Sequence, residues 1–321
     1  MSSHRQRRAL WSCLAIPFAT AVLAAQQVPD TAFTPRLRAG RSFAPGKGPV
    51  VLVDEAHNNF HTASGRYRPF VRLLEADGFV VRPSAARFDS ASLSTARVLV
   101  IANAVAAQNR DGANWRLPSY SAFTPAEVAA VAAWVRRGGS LLLIADHMPF
   151  AGAADSLTRA VGATFVNGFA LPAAEVGRAA GDFRIVFRRG GNLVRHPAID
   201  GRSPAERVDS IVSFTGSAFR LVGGENPAEL MRLPRGTRVL MPTVAWQFSD
   251  TTAQLAGDGM LQGATLRLGR GRVAIFGEAA MFSAQVAGPR REPMGMNAPA
   301  AGQNAQFVLN TMHWLSGLVA P

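Results

Sequence analysis

The sequence predicts an α/β fold: a doubly wound, mainly parallel sheet with a β-rich insertion. Three observations predict it. Short β-branched apolar runs alternate with stretches of helical spacing, the connections between them are short, and several runs stop abruptly at polar residues. A run apolar at every position suits a strand buried on both faces, and alternation with helices supplies the layers that bury it.

Residues 1–25 stand outside this pattern. Arg5, Arg7 and Arg8 make a basic start, residues 9–25 form an apolar run, and Leu23-Ala24-Ala25 places small residues before Gln26. This is the layout of a secretory signal peptide, so cleavage near Ala25 and a periplasmic or secreted mature protein are expected, with a retained membrane anchor as the alternative. Cys13 is the only cysteine and lies in this segment, so the mature chain should carry neither a disulfide nor a thiol nucleophile. No later run is long enough to span a bilayer. Residues 26–46 mix Pro, Thr, Arg and Gly without period and read as a tail or linker, which leaves 47–321 as one α/β domain.

Within that domain, residues 50–53 are the first buried strand. Phe70, Leu73 and Leu74 follow helical spacing, and Gly78 is placed to stop that helix. Residues 79–81 and 98–102 read as the second and third strands. Thr124, Pro125 and Glu127 then make a capping box, Val128, Val131 and Val135 give the helix an apolar face, and Gly138-Gly139 ends it. Residues 141–145 are the fourth strand. From about 167 to 246 the pattern loosens, and 183–187, 208–212 and 239–241 read as strands of the insertion. Residues 261–268 and 272–276 flank Gly269-Arg270-Gly271, a hairpin signal. Val308, Met312 and Leu315 form the stripe of a C-terminal helix.

The composition, 48% hydrophobic and 17% charged, excludes disorder for most of the chain. A formal charge of +13 raises nucleic acid as a partner, but Lys47 is the only lysine and the arginines are scattered singly, with no basic stripe or aromatic interleaving. Nucleic acid is therefore not an expected partner. An anionic surface partner stays open.

In an open parallel sheet the carboxyl ends of the strands share one edge, where ligand crevices form. Four strands here run into polar groups at that end: 50–53 into Asp54, Glu55 and His57; 98–102 into Asn103; 141–145 into Asp146 and His147; and 272–276, through Gly277, into Glu278. Asp54, His57, Asp146, His147 and Glu278 are therefore candidates for acid–base chemistry. His57, His61, Asp146 and His147 are candidate ligands for a divalent metal such as zinc, manganese or iron. The plainer reading gives Asp54, Asn58, Asn59 and Asn103 to turn and cap hydrogen bonds and makes His147 a hydrogen-bonded core histidine. His196 and His313 read as structural. Residues 288–303 read equally as a lid or a surface loop. Trp115, Tyr120 and Trp246 could stack on sugar rings or pack inward.

Three stretches carry a family resemblance: Val50-Val51-Leu52-Val53-Asp54; Val135-Arg136-Arg137-Gly138-Gly139-Ser140-Leu141-Leu142-Leu143; and Gly271-Arg272-Val273-Ala274-Ile275-Phe276-Gly277 with Asn304, Phe307 and Trp314-Leu315. With them the chain resembles the class I glutamine amidotransferase-like superfamily, in the branch of ThuA-like proteins and the trimerisation domain of certain β-galactosidases. The resemblance implies a flavodoxin-like sheet. Glutaminases of this fold place a nucleophilic cysteine after a central strand, and here the corresponding strand end is Asp146-His147. Glutamine hydrolysis through a thioester is not expected, and no Gly-x-Ser-x-Gly elbow replaces the cysteine. Two functions stay open. One is an exported hydrolase, metal-dependent or metal-free, acting on a glycan or other envelope substrate. The other is a non-catalytic envelope domain that binds a small molecule, glycan or peptide.

Overall fold

The computed structural model describes residues 27–176 and 182–320. Residues 1–25, read as a signal peptide and holding Cys13, lie outside the described residues. In chain order the main elements are β1 (Val50–Asp54), α1 (Arg68–Asp77), β2 (Val80–Ser84), β3 (Val98–Ala102), α2 (Pro125–Arg136), β4 (Ser140–Ile144), α3 (Phe150–Val161), β5 (Ala163–Val166), β6 (Ala218–Leu221), β7 (Glu225–Arg232), β8 (Leu261–Leu268), β9 (Gly271–Phe276) and α4 (Asn304–Ser316).

Nine strands form one sheet in the order β2-β1-β3-β4-β9-β8-β6-β5, with β7 also paired to β8. Strands β2, β1, β3, β4 and β9 are parallel. Beyond β9 every pairing is antiparallel. The architecture is thus mixed α/β on a mixed sheet, and the mainly parallel expectation describes only the half from β2 to β9. The reason is local: the tight Gly269-Arg270 connection between β8 and β9 can only join antiparallel neighbours, and β5, β6 and β7 extend that antiparallel half.

The strands of the parallel half alternate their side chains between two cores. Val51, Val53, Val98 and Val100 pack with Phe70, Leu73 and Leu74 of α1 and Phe307, Val308 and Leu315 of α4. Leu52, Leu99, Ile101, Leu141 and Leu143 pack on the other face with Val131 and Val135 of α2 and Leu157 and Val161 of α3. Burying each such side chain contributes roughly 1.5–3 kcal/mol, so the strands are fixed by both layers at once. Helix α1 ends as its sequence predicts. Gly78 has φ 97°, and a Cβ there would come within 2.3 Å of the Phe43 carbonyl oxygen. Helix α2 starts with the expected capping box, Thr124 and Glu127 each satisfying the other's backbone N–H.

Residues 27–46, which read as a tail or linker, lie on the domain. Val28–Pro29 pairs with Ala284–Ala287, and Phe33, Leu37 and Phe43 pack against the first core. A few isolated aromatic and aliphatic anchors dock this stretch, which is why it shows no period. Residues 288–303 include the strand Glu292–Gly295, which forms a hairpin with Ala284–Ala287. Residues 167–246 hold further strands: Arg238–Met241 pairs with Phe169–Leu171 and with Ala253–Ala256 just beyond this stretch, and Ile185–Arg188 pairs with Ser210–Ser213. Strands β6 and β7 of the same stretch are woven into the main sheet. Among the described residues no helix is long and apolar enough to cross a membrane.

Candidate functional site

The parallel register sets the carboxyl ends of β1, β3, β4 and β9 along one edge, with Ala102, Ile144 and Phe276 level with one another. Two histidine clusters form there, and they differ in how their hydrogen bonds are used.

The first begins at Asp54, the buried last residue of β1. The chain turns back at once, with Ala56 N–H donating to Asp54 Oδ1 (3.1 Å) and Asn58 in the left-handed region at φ 48°. His57 Nδ1 thereby lies 2.9 Å from both Asp54 oxygens, and its Nε2 lies 3.0 Å from Glu127 Oε1. Asn59 Nδ2 donates to Asp54 Oδ2 (3.0 Å), while its Oδ1 accepts from the His57 N–H (3.1 Å). Glu127 is the capping-box acid of α2. Its Oε2 accepts from the Thr124 N–H (2.9 Å) and hydroxyl (2.8 Å), and Arg87 lies 3.5 Å from Oε1. Phe88 and Phe123 enclose the imidazole, their centroids 4.5 and 4.8 Å away.

Both ring nitrogens of His57 face carboxylates, so the doubly protonated ring is the form that satisfies the network. Burial opposes that charge, but Asp54 and Glu127 outweigh it and raise the His57 pKa. Burial likewise pushes Glu127 up, yet Thr124 and His57 bring it down to about 2. With both nitrogens committed, His57 offers no lone pair to a metal or substrate. It ties the β1 loop to the start of α2.

The second cluster has donors and acceptors to spare. Asn103 follows β3 with φ 51°, and its Oδ1 accepts from the Asp146 N–H (2.9 Å), but its buried Nδ2 has no partner. Asp146 Oδ1 accepts in turn from the His147 N–H (2.8 Å). His147 Nδ1 donates to the Met148 carbonyl (2.6 Å), which places the ring proton there and leaves Nε2 as an acceptor. The ring stacks on Phe169 at 4.5 Å and 11°, with Trp246 edge-on at 4.7 Å and Trp115 at 6.0 Å. Trp115 leads through Phe60 (5.4 Å) to His61 (5.4 Å from Phe60). His61 Nε2 meets Gln285 Nε2 at 3.3 Å, while His61 Nδ1, Gln285 Oε1 and Trp115 Nε1 are buried without a partner.

Burial disfavours charge on four groups of this cluster. Burial, followed by Arg66 and His147, holds His61 well below its ordinary pKa, and burial lowers His147 despite Asp146. Burial and then Asp146 push Glu278 well above the usual carboxylate range, although its oxygens accept from the N–H groups of Ala280 (2.7 Å) and Met281 (2.8 Å). Tyr67, whose hydroxyl donates to the Ala279 carbonyl (2.9 Å), is raised by burial and then by Glu278 and Asp146. Burial thus works against charge on both imidazoles and on the Glu278 carboxyl.

The residues named as metal ligands thus fall into different settings. His57 is saturated by Asp54 and Glu127, and His147 keeps only Nε2 free. Among the described residues no group of three His, Cys, Asp or Glu is arranged to hold a metal ion, so the donor set does not fit one. Glu127 joins the site in a way its capping-box position did not announce, and Tyr67 and Gln285 come from segments without a motif. His196 and His313 have structural partners: His196 Nδ1 accepts from the Ala198 N–H (3.1 Å), and His313 Nε2 lies 2.7 Å from Asp77. Arg68, at the start of α1, is half-exposed, 3.9 Å from Glu75.

No family model matches the chain, and no curated protein matches it in sequence. Among solved structures, it is similar to the N-terminal domain of mmIFT52, with TM-score 0.54 and 12% identity over 83% of this chain and 97% of that one. A ThuA-like protein from Bacteroides uniformis aligns with TM-score 0.46 and 13% identity, covering 86% of this chain and 95% of that one. A β-galactosidase from Bacillus circulans gives TM-score 0.43 and 9% identity over 85% of this chain but 31% of the enzyme. At these identities the likeness is one of fold.

Proposed function

We propose that the chain is a ligand-binding domain of the cell envelope that holds a small, uncharged, hydroxyl-rich molecule, a sugar or a close equivalent, beside His147. One observation carries this reading: His61 Nδ1, Asn103 Nδ2, Trp115 Nε1 and Gln285 Oε1 are buried without partners along one chain of contacts. Each such group costs about 1–3 kcal/mol unless something bonds to it, so four together call for a bound polar molecule or ordered water. Burial that works against charge on His61, His147 and Glu278 favours an uncharged guest. Trp115 and Trp246 supply the flat apolar walls that suit the apolar face of a sugar ring, and Trp246 is 38% exposed with its backbone held at φ 66°.

A second reading, metal-free hydrolysis, is favoured by Glu278 alone. Burial and the neighbouring Asp146 push the Glu278 carboxyl upward, the direction a general acid needs. The same proposal places the chain in the amidotransferase-like superfamily as a branch without the cysteine, on the residues that carry that resemblance, and takes residues 1–25 as an export signal. Thermal-shift measurement against neutral mono- and oligosaccharides tests the main reading. A saturable rise in melting temperature that is lost in His61→Gln supports it. Absence of a saturable response to every saccharide sinks it, and release of reducing sugar would move the weight to hydrolysis.

A further inference from the structure

At the opposite, amino edge of the sheet, β8 and β9 set Arg267 and Arg272 directly across from each other. Like charges facing across a ladder destabilise a sheet, so the pairing asks for a reason. Arg97, just before β3, comes to the same place. Its Nε donates to the Ser316 carbonyl (3.0 Å) and one terminal nitrogen to the Gly138 carbonyl (2.8 Å), while Arg272 donates to the Trp314 (2.6 Å) and Val319 (2.7 Å) carbonyls. These bonds explain Arg97 and Arg272 as caps on the C-terminal end of α4, where orphan carbonyls and the helix dipole favour cations.

They do not explain Arg267. Its Nε is buried without a partner. It lies two residues beyond Thr265, whose hydroxyl meets His196 at 3.1 Å, so it shares the face on which α4 packs. Among the described residues no carboxylate is within ion-pairing distance of Arg97, Arg267 or Arg272. The nearest candidate by register, Glu225 on β7, accepts instead from the Gly269 N–H (3.2 Å). Among the described residues three guanidinium groups therefore gather with no carboxylate within ion-pairing distance, and burial, followed by Arg267 and Arg97, depresses the Arg272 pKa.

We infer that this edge binds a small tetrahedral oxyanion of the phosphate or sulfate type between Arg267 and Arg272, with Arg97 reinforcing the positive field. The planar fork of arginine suits paired bonds to such an anion, and a bound anion turns the opposed charges from a cost into a site.

Calorimetric titration of the full chain with inorganic phosphate at low ionic strength tests this. One saturable site is expected, weakened at least about ten-fold by Arg267→Gln and less by Arg267→Lys, which keeps the charge but loses the fork. Without phosphate, Arg267→Gln should melt no lower than the parent, because it removes the opposed charge. Exposed Arg220→Gln should leave phosphate binding unchanged. No saturable binding in the parent, equal binding in Arg267→Gln, or equal weakening by Arg220→Gln would each overturn the assignment.

Discussion

His57 and His61 are four residues apart, on one loop and both buried, yet they carry opposite hydrogen-bond balances. Around His57 each ring nitrogen meets a carboxylate, and those carboxylates are engaged by Ala56, Asn59, Thr124 and Arg87. Around His61, donors and acceptors on Asn103, Trp115 and Gln285 are left over. The first arrangement stabilises the fold and has nothing to offer a ligand. The second costs stability and is where a ligand would be recognised, because buried polar groups without partners are what a fitted guest satisfies.

The largest expected effect breaks the saturated side. Asp54→Ala leaves His57 with one carboxylate and should destabilise the domain by about 3–5 kcal/mol in urea denaturation, the cost of uncoupling a buried pair. A loss below about 1 kcal/mol would mean that the network is not a lock.

Next in size is the pH response, in which the two clusters have opposite signs. The raised pKa of His57 gives stability that is full below its unfolded value of about 6.5 and is lost as pH rises through the folded value. The lowered pKa values of His61 and His147 give stability present above about 6.5 and lost as pH falls below it. The stability gap between the parent and His57→Gln should therefore shrink from about pH 6 to about pH 9. A gap that widens over this range would reverse the assignment.

Thr124→Ala removes the capping bond at the start of α2 and should cost about 1 kcal/mol, read as a lowered urea midpoint with unchanged slope. The smallest effect on stability belongs to the unsaturated side. His61→Gln should stay within about 1 kcal/mol of the parent while abolishing the saccharide-dependent thermal shift. Severe unfolding by His61→Gln would show that this cluster too is structural.

Much of the parallel half was legible in the sequence, because a strand apolar at every position and a capped amphipathic helix are local signals. The Thr124-Pro125-Glu127 start, the Gly78 stop and the β8–β9 hairpin all lie where their residues place them. Helix α3 and strands β5 to β7 were not, since their short runs acquire meaning only when the sheet supplies a neighbour. The edge was legible through Asp54, Asn103, Asp146 and Glu278 as strand-end residues. Its division was not: that His57 reaches Glu127, seventy positions away along the chain, and that His61 reaches Gln285 depend on long-range packing that no spacing encodes.

The most direct test of that division is a nitrogen-detected NMR titration of the histidine rings from about pH 5 to about pH 9. The account predicts that His57 keeps both ring protons above its ordinary pKa, while His61 remains a neutral single tautomer at the acid end. A His57 that deprotonates below about 6.5, or a His61 that titrates near it, would contradict the contrast on which the binding proposal rests.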